Sequence, residues 1–406
     1  MPISHEENDL ITRVEGDAPL GQMLRQHYWM PAAPSDSLEA GGKPFRLRMF
    51  GKDYVLFRNP QGEVGVLDEA CPHRLASLAL ARNEPEGLQC IYHGWRFDTK
   101  GNVVDVPNAD PRVREQFCKN VRFGKYKARE LGGIAWVWLG QGEIEPPMPA
   151  LPFTELPKNQ RFVTSVEVPT NWLQGVEATM DTSHLTFLHS STIQIQGGTR
   201  KHVLGEGSAK LEFEDKPYGF RYAAIRNVKA AGQRYVRVNN FVMPWYSVIC
   251  ASDDMGPGTV FMSVPVDDVT HRAWFVHFNV HGPLGTTMHT LSPDLLNWPP
   301  LPPGGPKDNW GQDRGMMQRG HFSGFPQHLA TEDFAMFMSQ GRIANRAEEQ
   351  LCDADGAIVR LRRVILERVQ RYQQSEGKVG YNPVDYKAIK SVAKIIAESD
   401  DWRAVA

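Results

Sequence analysis

Four residues in the first quarter of the chain have the types and spacing to hold a metal centre: Cys71 with His73, and Cys90 with His93. Each pair is tight, C-x-H and C-x-x-H, so each loop can present one sulfur and one nitrogen. Two chemistries suit two cysteines and two histidines. One is a structural zinc site. The other is a [2Fe–2S] cluster with two thiolates on one iron and two imidazoles on the other. Zinc fingers normally pair Cys with Cys in one knuckle and His with His in the other. Here each knuckle mixes the two types, which lets each loop serve both irons of a dinuclear cluster.

A second group lies in DTSHLTFLH, residues 181–189. On a helix Asp181 and His184 are three apart and share a face. His184 and His189 are five apart, about 140° around a regular helix. Both reach one ion only where the helix bends, ends or bulges. An H-x4-H pair alone is more often two unrelated histidines, and Asp181 alone reads as a cap. Two arginines, Arg226 in YAAIRN and Arg237 in YVRVNNF, sit in strand-like stretches. A guanidinium meets a carboxylate through a planar fork, although a strand arginine paired with Asp or Glu explains each equally well. Trp245, Phe241 and Phe187 could wall a pocket, but aromatics in such positions are more often core.

The elements that must carry these residues change character along the chain. Residues 16–30 read as a short helix around Leu20, Met23 and Leu24, stopped by Pro31 and Pro34. Alternation at Phe45–Met49, then Tyr54–Phe57 and Val64–Leu67, separated by Gly51-Lys52-Asp53 and Asn59-Pro60-Gln61-Gly62, reads as a meander leading into Cys71. Strand signals continue past the second knuckle, through Val103–Val106 and Ile134–Trp138, to a Pro-rich linker at 142–157. The second half opens with a strand over Phe162–Val168 and a helix start at Thr170 or Asn171. Four alternating stretches follow, 210–226, 233–251, 258–266 and 272–281, which suggest an antiparallel sheet. Residues 297–315 lack periodicity and read as a long loop. Helices are expected over 332–348 and from Gly356 to Tyr372.

The chain has 406 residues and a formal net charge of −2, an ordinary globular balance with no basic footprint for nucleic acid. No apolar run is long enough to span a bilayer. MPISHEENDL lacks the apolar core of a secretory signal. Five cysteines, an odd count, fit reduced thiols and a cytoplasmic address. Cys118, Cys250 and Cys352 read as buried core thiols. No GxGxxG dinucleotide fingerprint stands in a βαβ context.

CPHR…CIYHGWRFD resembles the cluster-binding segment of Rieske proteins. NWLQGVEATMDTSHLTFLHS resembles the iron-binding helix of Rieske non-haem iron oxygenases, most closely their phthalate dioxygenase-like branch. The resemblance runs from HEENDLITRV to EDFAM…GRIANRAEEQL. It implies an α+β fold: an N-terminal segment, 1–42, packed on the catalytic domain; an all-β Rieske [2Fe–2S] domain, 43–147; and a helix-grip catalytic domain, 148–406, with helices on an antiparallel sheet. It implies that Cys71, His73, Cys90 and His93 hold the cluster. His184 and His189 then hold a mononuclear Fe(II), with the carboxylate of Asp333 as third ligand and Glu332 pointing elsewhere. It implies that Asp181 bridges a cluster histidine and His184 across the interface of a homotrimer, which could stack into a hexamer. A flavin and iron–sulfur reductase would supply electrons from NADH, and O₂ would be co-substrate. The nearest branch implies an aromatic carboxylate (phthalate, an isomer or a substituted benzoate) held by Arg226 and Arg237 and converted to a cis-dihydrodiol. A monooxygenase, hydroxylating or O-demethylating, uses the same ligands. A pure electron carrier has no need of the second site, and a zinc protein would be colourless and sulfide-free.

Overall fold

In the computed structural model, which describes residues 3–142, 144–196, 199–250, 256–285, 294–379 and 384–405, the chain forms two units. One is Val14–Pro149, and the other joins Met1–Arg13 to Ala150–Ala406. The fold is α+β as the sequence implied, with a β-rich first unit and an antiparallel sheet carrying helices in the second. No helix among the described residues is long and apolar enough to cross a membrane.

Three small sheets build the first unit. Phe45–Met49, Lys52–Arg58 and Val64–Asp68 form the expected meander. Asn59 closes its second turn by accepting from the Glu63 amide at 2.8 Å. A four-stranded sheet follows in chain order, Arg82–Glu84, Gly87–Gln89, Arg96–Phe97 and Val103–Asp105. The third sheet places Ile134–Trp138 between Met30–Pro34 and Lys127–Leu131. The helix before it, Pro19–His27, does stop ahead of the prolines. Pro31 and Pro34 then lie in an edge strand, where a missing N–H interrupts no internal ladder. The expected 1–42 segment is therefore divided, because Trp138 Nε1 bonds the Gln26 carbonyl at 2.9 Å and holds this helix to the β-rich unit. Val55, Phe57, Leu67, Leu88 and Phe97 form the core that also encloses Cys71 and Cys90.

In the second unit seven strands lie edge to edge in the order Arg161–Val168, His271–Phe278, Gly258–Pro265, Tyr246–Cys250, Gln233–Val242, Gly219–Asn227 and Lys210–Lys216. An eighth, Ala393–Ala397, pairs with Gln233–Arg237. The expected stretches 210–226 and 233–251 each resolve into two strands within the described residues, with turns at Pro217-Tyr218 and Met243–Trp245. Helix Trp172–Met180 starts where its N-cap Asn171 accepts from the Leu173 amide, and it packs on this sheet. Gln174 on that helix donates to the carbonyls of Phe337 (2.9 Å) and Gly341 (3.1 Å), fixing it against helix Leu329–Ser339. Glu177 is buried, and burial opposes its ionisation. The Arg346 and Arg362 guanidiniums outweigh that and hold the carboxyl below its ordinary range. Arg346 is 0% exposed, and seating it on Glu177 takes residues 341–348 out of the helix expected over 332–348. The 297–315 stretch is not wholly irregular, since Arg314–Gln318 is a short helix. Two cysteines differ from expectation: Cys118 is only half-buried and Cys352 is exposed. The Cys250 side chain lies outside the described residues.

His271 backs helix Trp172–Met180. Its Nδ1 bonds the Thr170 carbonyl at 2.8 Å, and burial pushes its pKa from 6.5 down to about 4. The folded protein keeps it neutral while the unfolded chain protonates it more readily. Its contribution to stability is therefore complete above pH 6.5 and is lost as pH falls towards 4. The loss should approach about 3 kcal/mol. Chemical denaturation of the wild type and of His271→Gln across this range checks it, and the variant should show the shallower slope.

Two candidate metal centres

The two knuckles share one backbone design. The Cys71 amide donates to the Ala76 carbonyl (2.9 Å) and the Leu75 amide returns to the Cys71 carbonyl (2.9 Å). Cys90 repeats this with the Trp95 carbonyl (2.8 Å) and the Gly94 amide (2.9 Å). The fourth residue after each cysteine turns the loop at positive φ, Leu75 at 60° and Gly94 at 77°. The imidazoles of His73 and His93 come edge to face at 4.5 Å, with Trp95 stacked on His73 at 4.8 Å and fixed through Asn108. Burial, reinforced by Cys90, pushes the Cys71 thiol up to about 11. His93 Nδ1 is buried without a hydrogen-bond partner among the described residues. Two facing thiols and an orphaned imidazole nitrogen fit a cluster that binds thiolate sulfur and neutral imidazole, with protons released on loading.

His184, His189 and Asp333 form the second centre, with one donor atom from each lying within 4.8 Å of the others. The interruption that the H-x4-H spacing required is present. Helix Trp172–Met180 ends at Asp181, and the single turn His184–Phe187 breaks before Ser190–Gln196. Asp333 comes from helix Leu329–Ser339. Its Oδ1 lies 3.0 Å from His189 Nε2 and 3.7 Å from His184 Nε2. Two nitrogens and one oxygen converging on one point match the two-histidine, one-carboxylate set of non-haem iron.

Both Nδ1 atoms are held by further carboxylates. Asp181 Oδ2 lies 3.4 Å from His184 Nδ1, and Glu332 Oε2 lies 2.6 Å from His189 Nδ1. Each bond directs the other ring nitrogen, Nε2, towards Asp333. Burial opposes a charge on His189, but Asp333 and Glu332 outweigh it and raise its pKa to about 9, so metal must displace a proton. Glu332 does point away from the centre, as the sequence implied, yet it holds the far side of the same histidine. Ser323 Oγ donates to its other oxygen, and Thr192 Oγ1 approaches at 3.4 Å. Adjacent carboxylates on a helix diverge by about 100°, which is enough to clasp one imidazole from both nitrogens. Sequence reasoning had no signal for the Ser323 contact. Glu332→Gln should weaken iron retention about 10–100-fold, measured by chelator competition with the cluster spectrum as control.

Asp181 is bracketed by the sheet. Tyr222 donates its hydroxyl to the Met180 carbonyl (2.6 Å), and Arg226 Nη2 donates to the Thr182 carbonyl (3.0 Å). The Asp181 carboxylate accepts from the Ser183 amide at 2.7 Å. Burial disfavours its charge, but His184 and the Ser183 amide outweigh burial and keep the carboxyl below its ordinary range. Arg226 Nε bonds the Glu206 carbonyl, leaving only Nη1 without a partner. Burial and the neighbouring Arg237 lower the Arg226 pKa. Arg237 is 8% exposed and has no hydrogen-bond or ion-pair partner among the described residues. The two arginines are therefore not equivalent: one braces a loop, the other is uncommitted. Phe241 and Trp245 are core, while Phe187 is 53% exposed.

Comparison with known proteins covers both centres. Residues 28–127 match the Rieske [2Fe-2S] domain, and residues 137–406 match the family described as LigXa C-terminal domain like. The chain is 35% identical to the phthalate 4,5-dioxygenase oxygenase subunit of Pseudomonas putida, over 99% of this chain and 94% of that protein. It is 30% identical to the 5,5'-dehydrodivanillate O-demethylase oxygenase subunit of Sphingobium sp. strain SYK-6, over 92% and 82%. Its fold is similar to NdmA of Pseudomonas putida CBB5, solved with caffeine, with a TM-score of 0.64, 17% identity, and coverage of 94% and 99%.

Proposed function

This chain belongs to the Rieske non-haem iron oxygenases, as an oxygenase alpha subunit of the phthalate dioxygenase-like branch, and from that premise we propose that it cis-dihydroxylates an aromatic carboxylate. Family membership brings a Rieske cluster, a mononuclear iron, O₂ as co-substrate and electrons from a reductase, which excludes the zinc and electron-carrier readings. In this proposal Cys71, Cys90, His73 and His93 hold the cluster, and His184, His189 and Asp333 hold the iron. The cluster supplies single electrons drawn from NADH through a flavin and iron–sulfur reductase, and the iron supplies a redox centre with positions open to O₂.

The chain's own residues do the rest. Glu332 and Asp181 fix the ring orientations of His189 and His184. Tyr222 and Arg226 hold the backbone on either side of Asp181. Asp181 joins His184 to His73 or His93 of another copy in a homotrimer or stacked hexamer. That role is supported by a side chain that already contacts His184 while 27% exposed. Arg237, with the unpaired Nη1 of Arg226 on the same sheet face, anchors the substrate carboxylate, so phthalate, its isomers and substituted benzoates are the candidate class.

The observation that carries this reading is the uncommitted guanidinium of Arg237, with the unpaired Nη1 of the bracing Arg226 on the same sheet face. Likeness to an O-demethylase subunit supports a second reading, a monooxygenase built on the same ligands. The test is NADH consumption and product analysis with a compatible reductase and a panel of benzene carboxylates beside neutral aromatics. Coupled product should form from carboxylates alone. NADH consumed without an oxygenated product from any carboxylate would count against the proposal.

A further inference from the structure

We infer that the substrate carries a ring hydroxyl in addition to its carboxylate, and that Asn239 is the residue that recognises it. The inference rests on the reading of Arg237 as the carboxylate anchor and narrows the class to hydroxylated benzoates. Strand Gln233–Val242 pairs with Gly219–Asn227 so that Asn239 stands opposite Tyr222, Arg237 opposite Ala224 and Tyr235 opposite Arg226. Alternate residues share a face. Asn239, Arg237, Tyr222 and Arg226 therefore lie on the face that braces the Asp181 loop.

The hydrogen bonds determine which way the Asn239 amide points. A backbone carbonyl can only accept, so the Tyr222 hydroxyl must give its proton to Met180. The Tyr222 oxygen is then left as an acceptor, and it takes Nδ2 of Asn239 at 3.0 Å. The amide cannot be turned over without setting two acceptors against each other. Asn239 Oδ1 is therefore a fixed acceptor, on a residue that is 0% exposed, with no partner among the described residues. A buried acceptor left unpaired is costly and calls for a donor.

Two residues along the same face, about 7 Å of strand, stands the uncommitted Arg237. The face thus offers a cation at one point and a bare acceptor at another. A benzene ring with a carboxylate at one end and a hydroxyl towards the other satisfies both. Benzoate leaves Oδ1 unpaired. Phthalate sets a second carboxylate, ionised at neutral pH and able only to accept, against an oxygen that also only accepts. Sites built to bond a hydroxyl discriminate against analogues lacking it far more than apolar pockets discriminate by size.

The experiment is calorimetric binding of benzoate, phthalate, 3-hydroxybenzoate and 4-hydroxybenzoate to the anaerobic holoenzyme. It is run on the wild type, Asn239→Ala, Asn239→Leu and Arg237→Gln. The wild type should bind one hydroxybenzoate at least about ten-fold more tightly than benzoate. Both Asn239 variants should lose that ratio while benzoate affinity changes little, and benzoate serves as the control for folding. Arg237→Gln should weaken benzoate and hydroxybenzoate alike. If the wild type binds benzoate and both hydroxybenzoates equally, and all are lost in Arg237→Gln, Asn239 Oδ1 does not meet the substrate; the inference fails and the carboxylate reading stands. If no benzoate binds, or binding is indifferent to Arg237→Gln, the carboxylate reading fails and the inference fails with it.

Discussion

Replacing Asp333 with alanine should abolish turnover while leaving the visible absorption of the [2Fe–2S] cluster unchanged. Asp333 Oδ1 is the atom on which both Nε2 nitrogens converge, at 3.0 and 3.7 Å. Without it the centre keeps two imidazoles five residues apart and no anionic donor. The carboxylate also supplies the largest attraction holding the His189 proton. Its loss therefore removes a ligand and changes the protonation of another. Carboxylates that only orient a ligand are worth about 10–100-fold, so removal of the ligand itself should exceed that range. Metal analysis should find one iron fewer per chain, and product formation should fall to background. A variant that keeps its full iron content and its turnover would remove Asp333 from the centre.

Asp181→Asn should keep both metals and substrate binding but slow turnover by about 10–100-fold. The side chain accepts from the Ser183 amide and contacts His184 Nδ1 with its other oxygen. An amide of the same shape has one acceptor where two are needed, so one of these contacts becomes donor against donor. Because Asp181 is held below the ordinary carboxylate range, the wild-type bridge stays ionised throughout neutral pH. The loss should therefore appear as a constant factor rather than as a shifted pH limb. Reduction of the cluster by the reductase should keep its rate, while reoxidation by O₂ in the presence of substrate should slow. Equal slowing of both steps would point to damaged folding, not to a bridge.

The parts of this molecule legible in the sequence are those governed locally. The knuckle pattern of Cys71, His73, Cys90 and His93 and the meander follow from spacing and turn residues, whereas His184, His189 and Asp333 were brought together as a set only by the family resemblance. Features set by distant partners were not legible. Residues 341–348 leave the helical path because Arg346 must meet Glu177, some 170 positions away. Strand Ala393–Ala397 exists because Gln233–Arg237 presents it an edge. Helix Pro19–His27 joined the β-rich unit through a tryptophan more than a hundred residues on. Glu332 lies on the far side of His189 from Asp333, and its hold on His189 Nδ1 is visible only once the two helices are placed together. Arg226 and Arg237 looked alike as strand arginines. Only their neighbours separate a brace from an uncommitted cation.

The most direct test of the central claim is product analysis under ¹⁸O₂ with reductase, NADH and the benzene carboxylate that binds most tightly. Two labelled oxygens on adjacent ring carbons of one product are predicted, as dioxygenation requires. A single labelled oxygen, as a phenol or with loss of an O-alkyl group, would contradict the dioxygenase account and establish the monooxygenase reading on the same ligands.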